Sequence, residues 1–386
     1  MPSTPLKNLI YRIALPFGAP NPHKQMKHVE VGKSLAHLPH YEHLLVKHRV
    51  LGASLLLADQ QHTAQVHTSV YNPRHIATED TMYRVASITK MATALVTLMC
   101  VDEGLFELDA PIRQLLPETE FSDCLEGRTV RQLLCHTSGI RDHDLDHALK
   151  NSKTFDDAIS EGDHIFYRPG ERMEYSNLGF GLLGCLLEHV TGRCISDLFR
   201  IKLFEPLGMR ATLDASTLDV DCIMPISRVL PYHKGNDVTI TKLGMIPLDK
   251  PDPLRHFGHT AGAVYTNASS LSKLLEIIGG MGVVDGKRLV SKEMMFEMTK
   301  VQSSTPTRTY GLGLVILNRP EISNHRLLGH QGFAYGCVDG AFIEEGTGRK
   351  VVFLNGGASE ARQGKLGLVN KDILTWTFQK EFPTWM

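Results

Sequence analysis

Long apolar runs are missing from this sequence of 386 residues. No stretch approaches the roughly 18 to 20 apolar residues that a membrane-spanning helix needs, so no membrane span is predicted. A short apolar patch lies within residues 1–24, but Arg12 interrupts it and no clear small-residue cleavage site follows. We therefore interpret residues 1–32 as an irregular N-terminal arm rather than as a signal peptide.

An excess of charge of either sign is also absent. Lysine and arginine together number 41, aspartate and glutamate number 42, and the formal net charge is -1. The sequence has neither the basic surplus that indicates nucleic-acid binding nor an acidic tail. It therefore predicts no nucleic-acid partner, and it gives no indication of an oligomeric state.

Cysteine is sparse, with seven residues and no C-x-x-C pair. This number and spacing argue against a zinc knuckle and a disulfide framework, and they favour reduced, mostly buried thiols in a cytoplasmic protein. His256 and His259 lie three positions apart, but two histidines alone are a weak basis for a metal site, and none is predicted. Glycine-rich phosphate-binding motifs are absent as well, so no cofactor is expected.

Strand and helix signals are unevenly distributed along the chain. Residues 51–73 have the pattern of a β-hairpin, and strand-like runs return after about residue 260. The segment between them contains mainly helices and loops. We therefore predict a sheet domain made of residues 33–104 and 256–386, and an inserted, mainly helical domain of residues 105–255.

The stretch YRVASITKMA, residues 83–92, places Ser87 and Lys90 three positions apart at the predicted start of a helix. That spacing puts both side chains on one helix face, near the free N–H groups of the first turn. Serine is a poor nucleophile unless a base takes its proton. A lysine can be that base when burial or a neighbouring cation lowers its pKa.

A serine that caps the helix and a lysine that extends its ammonium into solvent would give the same pattern. For S-x-x-K alone, capping is the better interpretation, because many surface helices contain the motif by chance. The apolar residues that follow, MATALVTLMC, favour the catalytic interpretation. They predict a central, buried helix, in which a charged group without a function is costly.

A second polar group, Tyr175-Ser176-Asn177, precedes a long apolar helix. A phenol can be a general base if cations depress its pKa, and Lys90 is a candidate for such a cation. The amide of Asn177 offers both a donor and an acceptor for a substrate amide. Taken alone, the three residues are better explained as a helix cap beside a packed tyrosine.

A third group, His330-Gln331-Gly332, lies between two strand-like runs. Glycine lets a ligand or another backbone come close, and a backbone N–H of an adjacent strand residue can contribute to an oxyanion hole. Taken alone, this group is better explained as a turn with an exposed histidine.

Together, the three groups resemble the signatures of the serine β-lactamase and penicillin-binding-protein superfamily. The Y-x-N form of the second group is similar to the branch of class C β-lactamases, D-aminopeptidases, DD-carboxypeptidases and related esterases. Four more segments resemble that branch in the same order: LDAPIRQLLPE, TVRQLLCHTSGI, RPGERMEYSNLGFGLLGCLLEHVTG and LFEPLGMRATL. The resemblance runs from about residue 40 to 357. It implies an α/β (α+β) fold, with an antiparallel β-sheet flanked by helices and an inserted, mainly helical domain.

The resemblance also implies catalytic roles. Ser87 matches the acylated nucleophile, Lys90 the partner that removes or shuttles its proton, and Tyr175 the general base of this branch. Whether Lys90 or Tyr175 takes the first proton stays open, because a coupled pair does not always allow a single-residue answer. His136, in the segment CHTSG, corresponds to a structural loop near the cleft rather than to a catalytic base.

Substrate-binding roles follow from the same resemblance. Asn177 matches the residue that binds the amide carbonyl of the substrate. His330, Gln331 and Gly332 occupy the K-T-G position on the inner strand. The backbone N–H groups of Ser87 and Phe333 would form the oxyanion hole.

One departure from the family pattern affects the expected substrate. The lysine of K-T-G is His330 here and the threonine is Gln331, so the groups that help β-lactamases to bind a carboxylate are changed. We expect His330 to be partly protonated near neutrality and to make carboxylate binding depend on pH. Efficient β-lactamase activity is not expected.

The predicted function is that of a serine hydrolase that acts through a covalent acyl-enzyme on a small molecule or short peptide, either an amide or an ester. The alternatives are a true β-lactamase and a non-catalytic binding protein of the same fold. The sequence distinguishes neither amide from ester substrates nor D- from L-stereochemistry. No metal and no organic cofactor are implied.

Overall fold

The computed structural model of the protein describes residues 4–18, 26–70, 76–116, 125–142, 154–155, 167–230, 232–233 and 246–385. Its main sheet contains nine antiparallel strands, numbered here in chain order. Their bounds are Lys27–Gly32 (β1), Ala53–Ala58 (β2), Thr63–Ser69 (β3), Ser303–Thr305 (β4), Arg308–Tyr310 (β5), Val315–Leu317 (β6), Leu327–Ala334 (β7), Cys337–Glu344 (β8) and Lys350–Asn355 (β9). The spatial order is β1-β3-β2-β9-β8-β7-β6-β5-β4. The predicted antiparallel sheet, with strands from both ends of the chain, is confirmed.

Helices lie before, between and after these strands. The α-helices are Thr4–Gly18 (α1), Leu38–Lys47 (α2), Thr89–Asp102 (α3), Ile112–Leu115 (α4), Val130–Leu134 (α5), Asn177–Thr191 (α6), Ile195–Phe199 (α7), His259–Gly262 (α8), Ala268–Gly279 (α9), Lys292–Thr299 (α10) and Leu368–Trp376 (α11). Shorter 3₁₀ turns span Ala86–Ile88, Ala215–Thr217, Val220–Cys222, His256–Gly258 and Phe382–Trp385, and π-helical turns span Arg200–Phe204 and Thr377–Glu381. Within the described ranges, no single helix is long and apolar enough to cross a membrane. Only α6 together with Ile195–Phe204, bent by 87°, meets that test as a pair.

Short strands complete the fold. Tyr83–Arg84 pairs with Tyr265–Thr266, which in turn pairs with Ala211–Thr212. Three small hairpins are formed by Arg228–Val229 with Tyr232–His233, Val283–Val284 with Lys287–Arg288, and Arg362–Gln363 with Leu366–Gly367. The pairing of Tyr83–Arg84 with Tyr265–Thr266 matters for function, because it fixes the chain just before Ser87.

Both faces of the main sheet are covered. Successive side chains of a strand point to opposite faces, so that Leu56 of β2 joins one apolar cluster, whereas Leu55 and Leu57 join another. The first cluster packs the sheet against α3, α6 and α9, and the second packs it against α2 and α11. The predicted arrangement of a sheet flanked by helices is therefore confirmed.

The N-terminal segment differs from its prediction. Residues 1–32 are predicted as an irregular arm, but they include helix α1, and strand β1 is paired along its whole length with β3. Tyr11 and Leu15, spaced one helical turn apart, are buried against Val229 and Ala361. The helix is therefore stabilised by tertiary packing, which the interrupted apolar pattern does not reveal.

In its described part, the segment of residues 105–255 contains α4, α5, α6 and α7 together with the short strands named above. Parts of this segment lie outside the described residues, and the domain boundaries stay predictions. Helix α6 shows how its sequence sets its ends. Ser176 accepts a hydrogen bond from the N–H of Gly179 at the start, and Gly192 ends the helix with a φ of +62°.

Candidate active site

The turn before α3 presents Ser87. Ala86, in the 3₁₀ turn Ala86–Ile88, has a φ of +47°, a left-handed conformation that an alanine adopts at a cost on the order of 1 to 3 kcal/mol. Ile88 donates its N–H to the carbonyl of Val85 and closes the turn. The strain is maintained by the surrounding strands, and it brings Ser87 to the start of a buried helix with its side chain only half-buried.

Lys90 lies one turn further into α3 and is completely buried. Its Nζ is 3.3 Å from Ser87 Oγ, and it donates hydrogen bonds of 2.7 Å to Asn177 Oδ1 and to the carbonyl oxygen of Ala261. Burial lowers the pKa of Lys90 to about 7, against an opposing effect of the Asp142 charge. A substantial fraction of Lys90 is therefore a neutral amine near neutrality.

The position of the Ala261 carbonyl depends on close packing between α6 and α8. A Cβ at Gly184 of α6 would lie only 2.7 Å from Thr260 Oγ1, so a larger residue would displace this turn. The hydroxyl of Thr260 donates to the carbonyl of Phe180, and the hydroxyl of Thr93 in α3 donates to the carbonyl of Thr260. These contacts join three helices behind Lys90 and keep its acceptor in place.

Tyr175 provides the second contact to the serine. Its hydroxyl donates to Ser87 Oγ at 2.9 Å, and its ring lies 5.1 Å from Lys90 Nζ. Burial and Tyr310 raise the pKa of Tyr175 above its ordinary value, although the guanidinium of Arg308 acts in the opposite direction. Neighbouring cations therefore do not depress the pKa of this phenol below its ordinary value, because desolvation outweighs them. The general-base role that the resemblance implies for Tyr175 stays a prediction.

Asp142 is a site residue that the sequence analysis does not find. Its Oδ1 accepts hydrogen bonds from the backbone N–H groups of Asn177 and Leu178, at 2.6 and 2.9 Å. Its Oδ2 accepts from Asn177 Nδ2 at 2.6 Å. The carboxylate therefore fixes the amide of Asn177 so that its oxygen faces Lys90. Asp142 lies in a loop 35 positions upstream, without a periodic or motif signal that could indicate it.

His136 supports the loop that carries Tyr175. It is buried with a φ of +60°, its ring lies 4.4 Å from the Tyr175 ring, and its Nδ1 accepts from the N–H of Ser176 at 3.2 Å. Its carbonyl accepts from the N–H of Glu174. Burial lowers the pKa of His136 well below its ordinary value, so it stays neutral. These contacts agree with the predicted role of a structural loop.

Strand β7 carries the residues of the third motif. His330 is 2 % exposed, and its Nδ1 is 2.7 Å from the carbonyl oxygen of Gln331. Burial and the charge of Lys90 lower the pKa of His330 to about 3. The expectation that His330 is partly protonated near neutrality, and makes carboxylate binding depend on pH, is therefore corrected. The ring is neutral because it lies inside the protein rather than in an exposed turn.

Gln331 and Gly332 differ from each other in what they contact. The amide of Gln331 donates to the carbonyl of Lys365 at 2.5 Å and accepts from the N–H of Gly367 at 3.0 Å. It therefore holds the hairpin Arg362–Gly367, and both ends of its amide are used within the fold. A Cβ at Gly332 would lie 2.4 Å from the carbonyl oxygen of Val85, so only glycine lets β7 come this close to the nucleophile turn.

A cavity of about 290 Å³ opens beside Ser87. Of the predicted site residues in the described ranges, Ser87, Asn177 and Phe333 line it. The other predicted residues, Lys90, Tyr175, His330, Gln331 and Gly332, are not among the lining residues. Its charged lining residues are Arg84, Arg228, Glu360 and Arg362. The position of Phe333 beside this cavity is compatible with the predicted oxyanion hole, which stays a prediction.

A cluster of possible metal ligands lies outside this cavity. Glu188, Cys194 and His256 offer ligand atoms within 4.8 Å of one another, although Glu188 and Cys194 are far from the histidine in sequence. The carboxylate of Glu188 contacts His256 Nδ1 at 2.7 Å and accepts from the N–H groups of Ile195 and Asp252. His256 Nε2 contacts the carbonyl of Pro247, and the Cys194 thiol that of Leu248. Hydrogen bonds within the fold therefore account for all three groups.

Comparison with known proteins identifies the family of this chain. A sequence model of the Beta-lactamase family matches residues 37–363. The chain belongs to the Beta-lactamase family. The match begins just before α2 and ends within the hairpin that Gln331 holds.

Two bacterial proteins are among the curated relatives of this chain. Penicillin-binding protein 4* of Bacillus subtilis (strain 168) is 25 % identical over 263 residues, which cover 66 % of this chain and 56 % of that protein. Esterase EstB of Burkholderia gladioli is 28 % identical over 231 residues, which cover 53 % of this chain and 54 % of that protein. The chain thus spans about half the length of these relatives.

Solved structures show the same fold. D-amino acid amidase from Ochrobactrum anthropi SV3 superposes with a TM-score of 0.66 at 24 % identity, covering 84 % of this chain and 94 % of that one. The octameric penicillin-binding protein homologue from Pyrococcus abyssi gives a TM-score of 0.66 at 22 % identity, covering 89 % and 77 %. Both similarities confirm the predicted fold class.

Proposed function

We propose that this protein is a serine hydrolase that acts on a small amide or ester, including short peptides, through a covalent acyl-enzyme on Ser87. The observation that carries the proposal is the arrangement around Ser87 Oγ, which lies 3.3 Å from a buried amine and 2.9 Å from a phenol. A neutral Lys90 uses its two N–H groups on Asn177 and Ala261. Its lone pair is then directed to the serine and can take the hydroxyl proton.

The reaction has two steps. Ser87 Oγ attacks the carbonyl carbon while its proton passes to Lys90, and the resulting oxyanion is stabilised by the backbone N–H groups of Ser87 and Phe333. The ammonium of Lys90 returns a proton to the departing amine or alcohol, and an acyl-enzyme remains. Water then attacks the ester, a proton again passes through Lys90, and the acid leaves. The raised pKa of Tyr175 suits a donor that steadies Ser87 Oγ rather than the first base.

The substrate class is supported by the site and by the relatives. Two relatives are named as an esterase and as a penicillin-binding protein, and a structural neighbour is named as an amidase. A neutral His330 removes the positive charge that β-lactamases place at the K-T-G position, which argues against efficient β-lactam hydrolysis. A true β-lactamase is therefore the weaker alternative, and nitrocefin turnover tests it directly.

A fluorophosphonate probe followed by peptide mass spectrometry tests the proposal. We expect stoichiometric labelling of Ser87, no labelling of the Ser87→Ala variant, and hydrolysis of short-chain p-nitrophenyl esters or D-amino-acid amides by the unmodified protein alone. Ser138→Ala is a matched control, because this serine lies on the nearby loop without contacting Ser87. A folded protein that no acylating probe labels would instead be a binding protein of the same fold.

A further inference from the structure

Helix α1 presents a continuous apolar stripe to solvent. Leu6, Leu9, Ile10, Ile13 and Phe17 are 49, 51, 43, 62 and 88 % exposed. Their positions repeat as one face of a helix with about 3.6 residues per turn. Other large exposed apolar side chains in the described ranges are scattered, as is ordinary for a protein surface, whereas a continuous stripe marks an interaction site.

The opposite side of α1 is held against the protein. Tyr11 and Leu15 are 5 and 9 % exposed and pack with Val229 and Ala361. Because this side already makes the tertiary contacts of the helix, turning the stripe inwards would expose Tyr11 and Leu15 instead. The stripe is therefore a fixed outer surface of the helix.

Hydrogen bonds join the same helix to the wall of the active-site cavity. Asn8 Nδ2 donates to the carbonyl of Arg362 at 2.5 Å, and the N–H of Arg362 donates to Asn8 Oδ1 at 2.9 Å. The hydroxyl of Tyr11 donates to Glu360 Oε2 at 3.1 Å. Glu360 and Arg362 both line the cavity beside Ser87. Helix α1 is therefore joined directly to two residues of the cavity wall.

Charge indicates what kind of surface this is. Helix α1 contains Lys7 and Arg12 and no acidic residue, and the first acidic residue of the chain is Glu30. An apolar stripe on a helix whose only charged residues are basic is typical of helices that lie in the interface of an anionic bilayer. Two copies of the helix would also cover each other's stripe, but their like charges would repel.

We propose that α1 docks the protein on the surface of a bilayer that contains anionic phospholipids. The apolar side chains of the stripe enter the boundary between headgroups and acyl chains, and the positive charge of the helix favours anionic headgroups. Docking requires no chemistry at Ser87. Because α1 is hydrogen-bonded to Glu360 and Arg362, docking leaves the width of this helix between the membrane surface and that part of the cavity wall.

Flotation with vesicles tests this proposal on the full chain. The probes are vesicles of equal parts phosphatidylglycerol and phosphatidylcholine, and vesicles of phosphatidylcholine alone. We expect the unmodified protein to float with the anionic vesicles, and at least about ten-fold less with the neutral vesicles or in 0.5 M salt. The double variant Ile13→Glu with Phe17→Glu should lose at least about ten-fold in binding to the anionic vesicles.

Matched variants make the result specific. Phe296 and Val301 are 59 and 53 % exposed elsewhere on the surface, so Phe296→Glu with Val301→Glu adds the same charge and should bind like the unmodified protein. Ser87→Ala should also bind normally, which separates docking from hydrolysis. Circular dichroism and thermal unfolding verify that each variant folds. Equal binding by the helix variant, or no binding by the unmodified protein, overturns the proposal. So does a dimer that the helix variant converts to a monomer.

Discussion

Two buried bases of this protein, Lys90 and His256, have pKa values that shift in opposite directions. Burial lowers the pKa of Lys90 to about 7. Burial also opposes charging of His256, but its contacts with Cys194 and Glu188, and the charge of Glu188, raise its pKa to about 10. The two regions are close in the fold, since the 3₁₀ turn that begins at His256 leads into α8, whose Ala261 accepts a hydrogen bond from Lys90.

The difference lies in where the neighbouring carboxylate makes its contacts. Glu188 contacts His256 directly at 2.7 Å, so the imidazolium forms a buried ion pair. Asp142 acts on Lys90 through its charge, but its oxygen atoms accept hydrogen bonds from Asn177 and Leu178 instead. The hydrogen-bond acceptors of Lys90 are therefore uncharged oxygen atoms, and the pKa of its amine stays close to neutral pH. Similar burial therefore gives a structural ion in one region and a reactive base in the other.

Removing the amine should have the largest effect. In Lys90→Met we expect kcat/KM to fall about 10³-fold, equivalent to about 4 kcal/mol, because Ser87 loses its base. The free energy of unfolding should be unchanged or increased, since an apolar chain replaces a desolvated amine. Ester hydrolysis and urea denaturation measure the two quantities, with the exposed Lys287→Met as control. A variant that keeps more than about a tenth of the activity would exclude Lys90 as the base.

Removing the carboxylate of Glu188 should lower the stability and leave the activity unchanged. In Glu188→Gln we expect a loss of about 3 kcal/mol in the free energy of unfolding at pH 7, because the imidazolium loses its partner. The turnover number should not change. Since the folded pKa of His256 is raised, the stability that the pair contributes is complete below about pH 6.5 and is lost as the pH rises through about 10.

Urea denaturation at pH 7 and pH 10 measures this loss. The difference between the unmodified protein and Glu188→Gln should be smaller at pH 10 than at pH 7. A difference that stays constant over this range would show that Glu188 stabilises the fold through its hydrogen bonds and not through its charge.

Changing Asp142, whose carboxylate acts on Lys90 through its charge and not through a hydrogen bond, should have a smaller effect on kcat/KM. In the unmodified protein, kcat/KM should rise with pH through about 7 as Lys90 loses its proton. In Asp142→Asn this rise of kcat/KM should occur at lower pH, because the Asp142 charge raises the pKa of Lys90. The rate on the plateau should fall about ten-fold as Asn177 loses its fixed orientation.

The control for that experiment is Asp285→Asn, at an exposed turn where the φ of +49° also suits asparagine. Its pH profile should match that of the unmodified protein. A rise of kcat/KM that stays in place in Asp142→Asn would show that the rate reports a group other than Lys90.

The smallest effect concerns His330. Because its pKa of about 3 keeps the ring neutral, His330→Asn should leave the rise of kcat/KM near pH 7 in place. Measurement of kcat/KM between pH 5 and 9 provides the test. If the rise of kcat/KM near pH 7 moves or disappears in His330→Asn, then His330 itself titrates between pH 5 and 9. In that case the rate does not report Lys90, and the comparison of Lys90 with His256 concerns the wrong group.

The parts of the site that sequence predicts are those with a local pattern. S-x-x-K and Y-x-N each combine a reactive group with an apolar helix. In the structure, hydrogen-bond contacts connect Tyr175 to Ser87, Ser87 to Lys90, and Lys90 to Asn177. Alternating and helical periods likewise predict strands and helices, whereas their arrangement as a sheet flanked by helices is what the family resemblance implies. Both signals depend on neighbours in sequence, which is why they are visible in a single chain.

The parts that sequence does not predict depend on distant contacts. Asp142 lies in a loop, and its function results from the way the chain folds back on α6. The pairing of Glu188 with His256 spans 68 positions. His330 is neutral because it is buried on β7, and the sequence His-Gln-Gly alone does not specify that burial. In each case the chemistry of a residue is set by atoms that the sequence places far away.

The hydrogen bonds of Gln331 have a consequence for how the substrate range of this protein can change. One amide fastens the hairpin Arg362–Gly367 to the inner strand, and that hairpin brings Arg362 to the cavity. Ser87, Lys90 and Tyr175 lie on other segments, whereas the guanidinium of Arg362 stacks on the ring of Phe333, with Cζ 3.9 Å from the ring centroid. Substitutions within residues 360–367 should therefore reshape the cavity wall while the serine, the amine and the phenol keep their contacts, and a change at Arg362 should also reach Phe333.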